Sequence, residues 1–236
     1  MKITAIYGTE RKGCTWHIAQ EVLQRLPEAE VTEFFLPRDC PDCCVSCFGC
    51  FLGEENVCQH SEGARRILQS ILGADVILMT SPVYAFHLTG QMKTLLDHYA
   101  NMWMVHRPNG EMFQKQGLVI AAASGPVYSA TLKEMKDSLD FWGVARTYRM
   151  GFALMETRWD HLSPKLKKKI VRQAERTAAK LRNGTRGPGP KTWCLFQASR
   201  LMQKYVKLNP VDAAWWEQQG WLGRARPWKR KRGEKI

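Results

Sequence analysis

Short apolar runs alternate with amphipathic stretches along most of this chain. Residues 2–7 (KITAIY), 31–36, 76–80, 118–123 and 147–154 are short and apolar through their centres, as expected of strands buried on both faces. Between them, apolar positions recur at helical spacing. Ile18, Ala19, Val22, Leu23 and Leu26 form the first such series, followed by residues 64–72, 88–103 and 130–142, and a long helix is predicted over 164–181. The alternation predicts an α/β domain: a doubly wound, five-stranded parallel sheet with helices on both faces.

Ligands of such sheets bind beyond the carboxyl ends of the strands, near the switch point in strand order. Three predicted strand-end loops have suitable chemistry. In the first, GTERKGCT, Gly8 and Gly13 allow close backbone approach, Thr9 and Thr15 offer hydroxyls, and Arg11 and Lys12 offer charge. The helix that follows Cys14 would present its N-terminus to an anion. The loop matches neither GxGxxG nor a Walker A motif, so it reads as a phosphate cradle without a nucleoside triphosphate; a plain glycine turn with a threonine cap is the alternative. The second loop, SPVYAFH, contains Pro82, Val83, Tyr84, Ala85, Phe86 and His87, with flat faces and backbone groups for a planar ring. The third begins at Ser124 and Gly125. Together they suggest flavin mononucleotide (FMN), against an alternative in which Tyr84 fills the core and Ser124 caps a helix.

Six of the eight cysteines fall between residues 40 and 58, and four of them, Cys44, Cys47, Cys50 and Cys58, are spaced C-x2-C-x2-C-x7-C. The N-terminus has no secretory pattern and no run of about 18 apolar residues occurs, so a soluble, cytoplasmic protein with reduced thiols is expected. Thiolates at this spacing suit a 4Fe-4S cluster. Zinc held by Cys40, Cys43, Cys47 and Cys50 is a rival, although only three residues separate the two pairs. Free thiols are the third option, and Cys40 and Cys43 have no place in the four-ligand pattern. His60, beside Cys58, is read as capping the helix that follows, or as a donor to a cluster sulfide. His87 is a candidate proton donor near the flavin or a surface residue. No triad or paired carboxylates are visible, so no side chain is assigned as nucleophile or general base.

Charge is segregated. The net charge of +13 over 236 residues divides into 15 Lys/Arg against 18 Asp/Glu in residues 1–160, and 20 against 4 in residues 161–236. A turn-rich linker, NGTRGPGP (183–190), precedes an amphipathic stretch over 193–208, a short helix containing Trp215 and Trp216, and the terminal WLGRARPWKRKRGEKI. Five of the nine tryptophans lie in this basic extension. They are read as packing back onto the domain, with the last eight or so residues solvated; the alternative is contact with nucleic acid or a membrane surface. The segment 103–113, WMVHRPNGEMF, is read as covering the flavin, as a dimer contact, or as a surface loop anchored by Trp103.

GTERKGCT, SPVYAFHLTGQMKTLLDH and SGPVYS resemble the flavodoxin-like NADPH-dependent FMN reductase family, and the cysteine block resembles that of its iron-sulfur flavoprotein branch. The similarity covers about residues 1–182. It implies a flavodoxin-like FMN domain (1–182) with a cysteine-rich segment (40–58) after the second strand, and a C-terminal extension (183–236). By the resemblance, FMN phosphate would lie on Thr9, Arg11, Lys12 and Thr15, the ring against Pro82, Val83, Tyr84 and Ala85, and its far edge along Ser124 and Gly125. Cys14 stands where the family usually has asparagine, leaving its backbone N–H to serve. The implied function is an FMN-dependent NAD(P)H oxidoreductase or electron-transfer flavoprotein, reduced by NAD(P)H or a ferredoxin-like donor and passing electrons through a 4Fe-4S cluster. A homodimer or higher oligomer is implied too. The competing class is a non-catalytic binding protein with structural zinc and a basic tail.

Overall fold

The computed structural model describes residues 1–53, 57–185 and 187–229. Its five strands, β1 (Lys2–Tyr7), β2 (Glu30–Phe35), β3 (Val76–Pro82), β4 (Gln116–Ala123) and β5 (Arg146–Ala153), form one parallel sheet in the order β2-β1-β3-β4-β5. The fold is therefore flavodoxin-like, as the alternation of elements predicts, and its order reverses between β1 and β3. β3 and β4 are buried along almost their whole length, which is why they read as unbroken apolar runs.

One face of the sheet is covered by α1 (Cys14–Leu23) and α6 (Pro164–Arg182), whose Ile18, Val22, Ile170 and Ala174 pack on Ile3, Leu78 and Ile120. The other face is covered by α3 (Glu62–Gly73), α4 (Gly90–Asp97) and α5 (Ser129–Phe141), through Ile67, Met92, Leu95, Met135 and Leu139. A four-residue helix, α2 (Gly49–Leu52), lies in the cysteine segment. Side-chain caps start several helices: Ser61 accepts from the Ala64 amide, Thr89 from Met92 and Ser163 from Leu166. The helix expected over 88–103 is shorter than its periodicity suggests. It ends at Asp97, where the His98 ring turns inward to the cysteine segment and a 3-10 turn, Ala100–Met102, takes over.

The extension folds back on the domain. Helices α7 (Pro190–Tyr205) and α8 (Pro210–Gln218), with the turn after α8, bring Phe196, Trp216 and Trp221 onto Met104 and Phe113 as a third apolar cluster, flanked by Trp215 and Trp228. Polar bonds lock it down: the Trp216 indole donates to the His106 carbonyl at 2.7 Å, Gln203 to Val105 at 2.6 Å and Thr192 to Val144 at 3.0 Å. The segment 103–113 is thus the bed of the extension and does not line the flavin cleft described below. Residues 230–236, most of the expected solvated tail, lie outside the described residues. Among the described residues no helix is long and apolar enough to cross a membrane.

Candidate flavin and cysteine sites

The first three strand-end loops meet at the carboxyl rim of β1, β3 and β4. The Gly8 amide donates to the Thr80 carbonyl at 2.8 Å, and the Gly8 carbonyl accepts from the Thr89 hydroxyl at 2.8 Å, tying the first loop to the second. The Val83 amide donates to Ala122 at 3.0 Å, tying the second to β4. A cleft of about 160 Å³ between them is lined by Thr9, Arg11, Gly13, Cys14, Thr15, Pro82, Val83, Tyr84 and Ser124.

Five residues expected at the site do not line it, for separate reasons. Gly8 serves the loop–loop contact: a Cβ there would stand 2.8 Å from Thr89 Oγ1 and 2.9 Å from the Thr80 carbonyl oxygen. The Lys12 ammonium lies over the Trp16 and Phe35 rings, 5.2 and 5.8 Å from their centroids. Ala85 and Phe86, at φ 48° and 69°, form the tip of a tight turn closed by paired bonds between Tyr84 and His87. Gly125 lies off the lining, with nothing within 4 Å of a built Cβ. His87 is exposed and its Nδ1 is held 2.6 Å from Glu134, so it is the surface residue of the two readings. Tyr84 is 55% exposed and no core filler, while α5 begins after Tyr128 without a side-chain cap, so Ser124 caps nothing.

The fourth strand-end loop escaped the sequence reading. Leu154, Glu156 and Thr157, after β5, complete the lining with Ala122 and Ala123. The signal available was positional: the end of a strand beside β4 must reach the same rim. Arg11 donates to the Thr157 carbonyl at 3.2 Å, so this loop holds the guanidinium at the cleft.

The cleft fits a phosphate. Helix α1 starts at Gly13 with no side-chain cap, so no threonine caps it, and no acidic residue lies in its first turn. A Cβ at Gly13 would meet only the Arg11 side chain, at 3.6 Å and beyond. Burial pushes the Cys14 thiol up despite nearby Arg11, so it stays neutral near pH 7 and adds no charge against an anion. Glu156 is the one carboxylate in the lining; the Thr157 and Arg158 amides engage Oε1 at 2.6 and 3.0 Å and hold it below the usual range.

A second cavity, about 490 Å³, is lined by all four thiols of the C-x2-C-x2-C-x7-C pattern, with Phe48, His60 and His98 among the other walls. Ser46 and Phe48, at φ 52° and 57°, flank Cys47 and wrap the segment tightly. Cys40 and Cys43 do not line the cavity: Cys40 is buried with its sulfur 3.6 Å from Ser61 Oγ, and Cys43 faces solvent. The helix cap assigned to His60 belongs to Ser61 instead. His98 went unassigned in the sequence. Its Nε2 lies 2.8 Å from the Asp42 carbonyl, which can only accept, so Nε2 donates there, and Nδ1 lies 3.3 Å from the Cys58 sulfur. Among the described residues no three His, Cys, Asp or Glu stand at metal-binding geometry; the thiols surround the cavity without converging.

The two sites share no lining residue. The flavin rim is bonded to Thr89, at the start of α4, whereas Asp97 and His98, at its end, wall the cysteine cavity. Eight residues of helix put them about 12 Å apart along the axis.

Comparison with known proteins agrees with this geometry. The profile of the NADPH-dependent FMN reductase family matches residues 1–158. An iron-sulfur flavoprotein from Methanocaldococcus jannaschii is 32% identical over 99 residues, which is 41% of this chain and 50% of that protein. Among solved structures, a flavone reductase superposes with a TM-score of 0.57 at 18% identity, over 77% of this chain and 62% of that one. An FMN-dependent NADH-azoreductase from Bacillus anthracis str. Ames Ancestor, in complex with FMN, gives 0.57 at 15% identity, over 77% and 99%. The structural likenesses establish the fold, and the profile match establishes that the chain belongs to the NADPH-dependent FMN reductase family.

Proposed function

We propose that this chain is an FMN-dependent NAD(P)H oxidoreductase that passes electrons onward through a 4Fe-4S cluster. The observation that carries the reading is the presence, in one chain of this family, of a phosphate-fitting strand-end cleft and a separate cavity walled by Cys44, Cys47, Cys50 and Cys58. Bound FMN would supply two-electron acceptance with one-electron release, and a cluster would supply one-electron storage.

The chain's own residues position these groups. The free amides at the start of α1, Thr9, Thr15 and Arg11 would hold the phosphate, with Lys12 adding charge at longer range. Pro82, Val83 and Tyr84 would support the ring and Ser124 its far edge, with Ala85 and Gly125 meeting it only where it extends beyond the cleft lining. A cleft of about 160 Å³ is small for a whole cofactor, so the ring would lie across the rim, accessible to a nicotinamide. Tyr84 and Phe86 beside the rim, and Val45, Phe48 and Leu52 in the cysteine segment, are all more than half exposed, which favours a homodimer or higher oligomer that covers them. The zinc reading loses support because Cys40 and Cys43 lie outside the cavity. The tail reading loses support because Trp215, Trp216, Trp221 and Trp228 pack against the domain, although Trp193 is exposed.

Anaerobic stopped-flow reduction with NADH, NADPH and a reduced ferredoxin tests the reading. Rapid bleaching of flavin absorbance by at least one donor, followed by a slower change at cluster wavelengths, is expected. A chain isolated without flavin and inert to all three donors would overturn it.

A further inference from the structure

The cysteine segment has little of its own to hold it. Helix α2 is four residues long, has no side-chain cap and buries none of its residues, and an isolated turn of that length has no stability in water. A polar clasp takes the place of a core. Arg107 is 2% exposed, and its guanidinium donates to the Cys50 carbonyl at 2.5 Å and to the Gly53 carbonyl at 3.0 Å. Asp212, on α8 of the C-terminal extension, is buried with Oδ1 3.5 Å from Arg107 Nε, an ion-pair distance, and Oδ2 2.8 Å from His106 Nδ1. The His106 ring stands edge-on to Phe51 at 4.8 Å, and Asn209 donates to the Phe51 carbonyl at 3.4 Å.

We propose that Arg107 and Asp212 are a positioning pair that seats Cys50 and sets the charge around the cysteine cavity, which makes the C-terminal extension part of that site. The inference rests on the cluster reading above. A buried guanidinium is costly unless compensated, and its planar fork serves two carbonyls and a carboxylate at once, which a lysine ammonium cannot. Cluster potentials respond to nearby charge and hydrogen bonding. Removing the positive charge disfavours the extra electron of the reduced state, and removing the negative charge favours it.

The test uses the full chain, isolated anaerobically, as wild type, Arg107→Gln, Arg107→Lys and Asp212→Asn. Flavin, iron and sulfide are measured per chain, and the cluster midpoint potential by EPR-monitored titration. Expected are unchanged flavin content in all four, a midpoint below wild type in Arg107→Gln, one above wild type in Asp212→Asn, and an intermediate value in Arg107→Lys. A clasp with only a structural role would move both neutral variants the same way or neither, and either result overturns the proposal. If Arg107→Gln retains flavin but no iron, alkylation of Cys50 in the metal-free chains decides: a rate on the order of tenfold above wild type is expected, and equal rates overturn it. Wild type that contains flavin without iron or sulfide would instead remove the cluster reading on which the inference stands.

Discussion

Asp39 ties the end of β2 to the start of the cysteine segment. Its carboxylate accepts from the Phe35 amide at 2.6 Å and pairs with Arg38 at 2.9 Å and Arg66 at 3.0 Å. Partial burial pushes its pKa up, but those bonds outweigh burial and hold it below the ordinary value. A depressed carboxylate contributes stability that is present above the unfolded pKa of about 3.9 and is lost as pH falls through the folded value. Asp39→Asn should therefore lower stability at pH 7 by about 1–3 kcal/mol and flatten its decline below about pH 4, as urea titrations across pH would read. Gly8→Ala tests the loop–loop contact. With neighbours at 2.8 and 2.9 Å, one of them backbone, the added methyl should cost about 1–3 kcal/mol in urea denaturation and weaken FMN binding. At this scale the sequence was legible where neighbours are local: Arg11, Gly13 and Thr15, close together in the chain, line one strand-end cleft. His98 was not, because nothing in LLDH shows that a helix ends there and turns a ring toward a sulfur forty residues earlier.

Under the proposed function, helix α1 trades some of its own stability for binding. Its N-terminus lacks the usual capping side chain, and a built Cβ at Gly13 has room. Gly13→Asp should cap the helix and complement its dipole, raising the stability of the flavin-free chain by about 0.5–1 kcal/mol. The same carboxylate would occupy the phosphate position, so FMN affinity should fall at least about tenfold. Calorimetry of the flavin-free protein and fluorescence titration with FMN read the two effects, and both moving in the same direction would count against a phosphate site there. The inner strands β1, β3 and β4 were legible from their apolar runs because they are buried, whereas the edge strands β2 and β5 are largely open and were legible only from the alternation of elements. The length of α4 was not, since the apolar period continues through Tyr99 and Met102 after the backbone has left the helix.

For the whole molecule, the arrangement of the two sites follows from chain routing. The cysteine segment leaves β2 but is walled by the far end of α4 and clasped by the extension, so neither its distance from the flavin rim nor its dependence on α8 was visible in the motif. The basic extension, read in the sequence as packing back onto the domain, contributes Phe196, Trp216 and Trp221 to a core and Asp212 to a clasp. Among its described residues Lys191, Lys204, Lys207, Arg224 and Lys229 are exposed, where long side chains stay solvated. The central claim is that one chain carries flavin and cluster in sites that do not share walls. Its most direct test is the flavin, iron, sulfide and zinc content of anaerobically isolated wild type beside Cys58→Ser. The account predicts about one FMN with about four iron and four sulfide in the wild type, and intact flavin with loss of iron in Cys58→Ser. A colourless wild type holding only zinc, or flavin lost together with the cysteine, would contradict it.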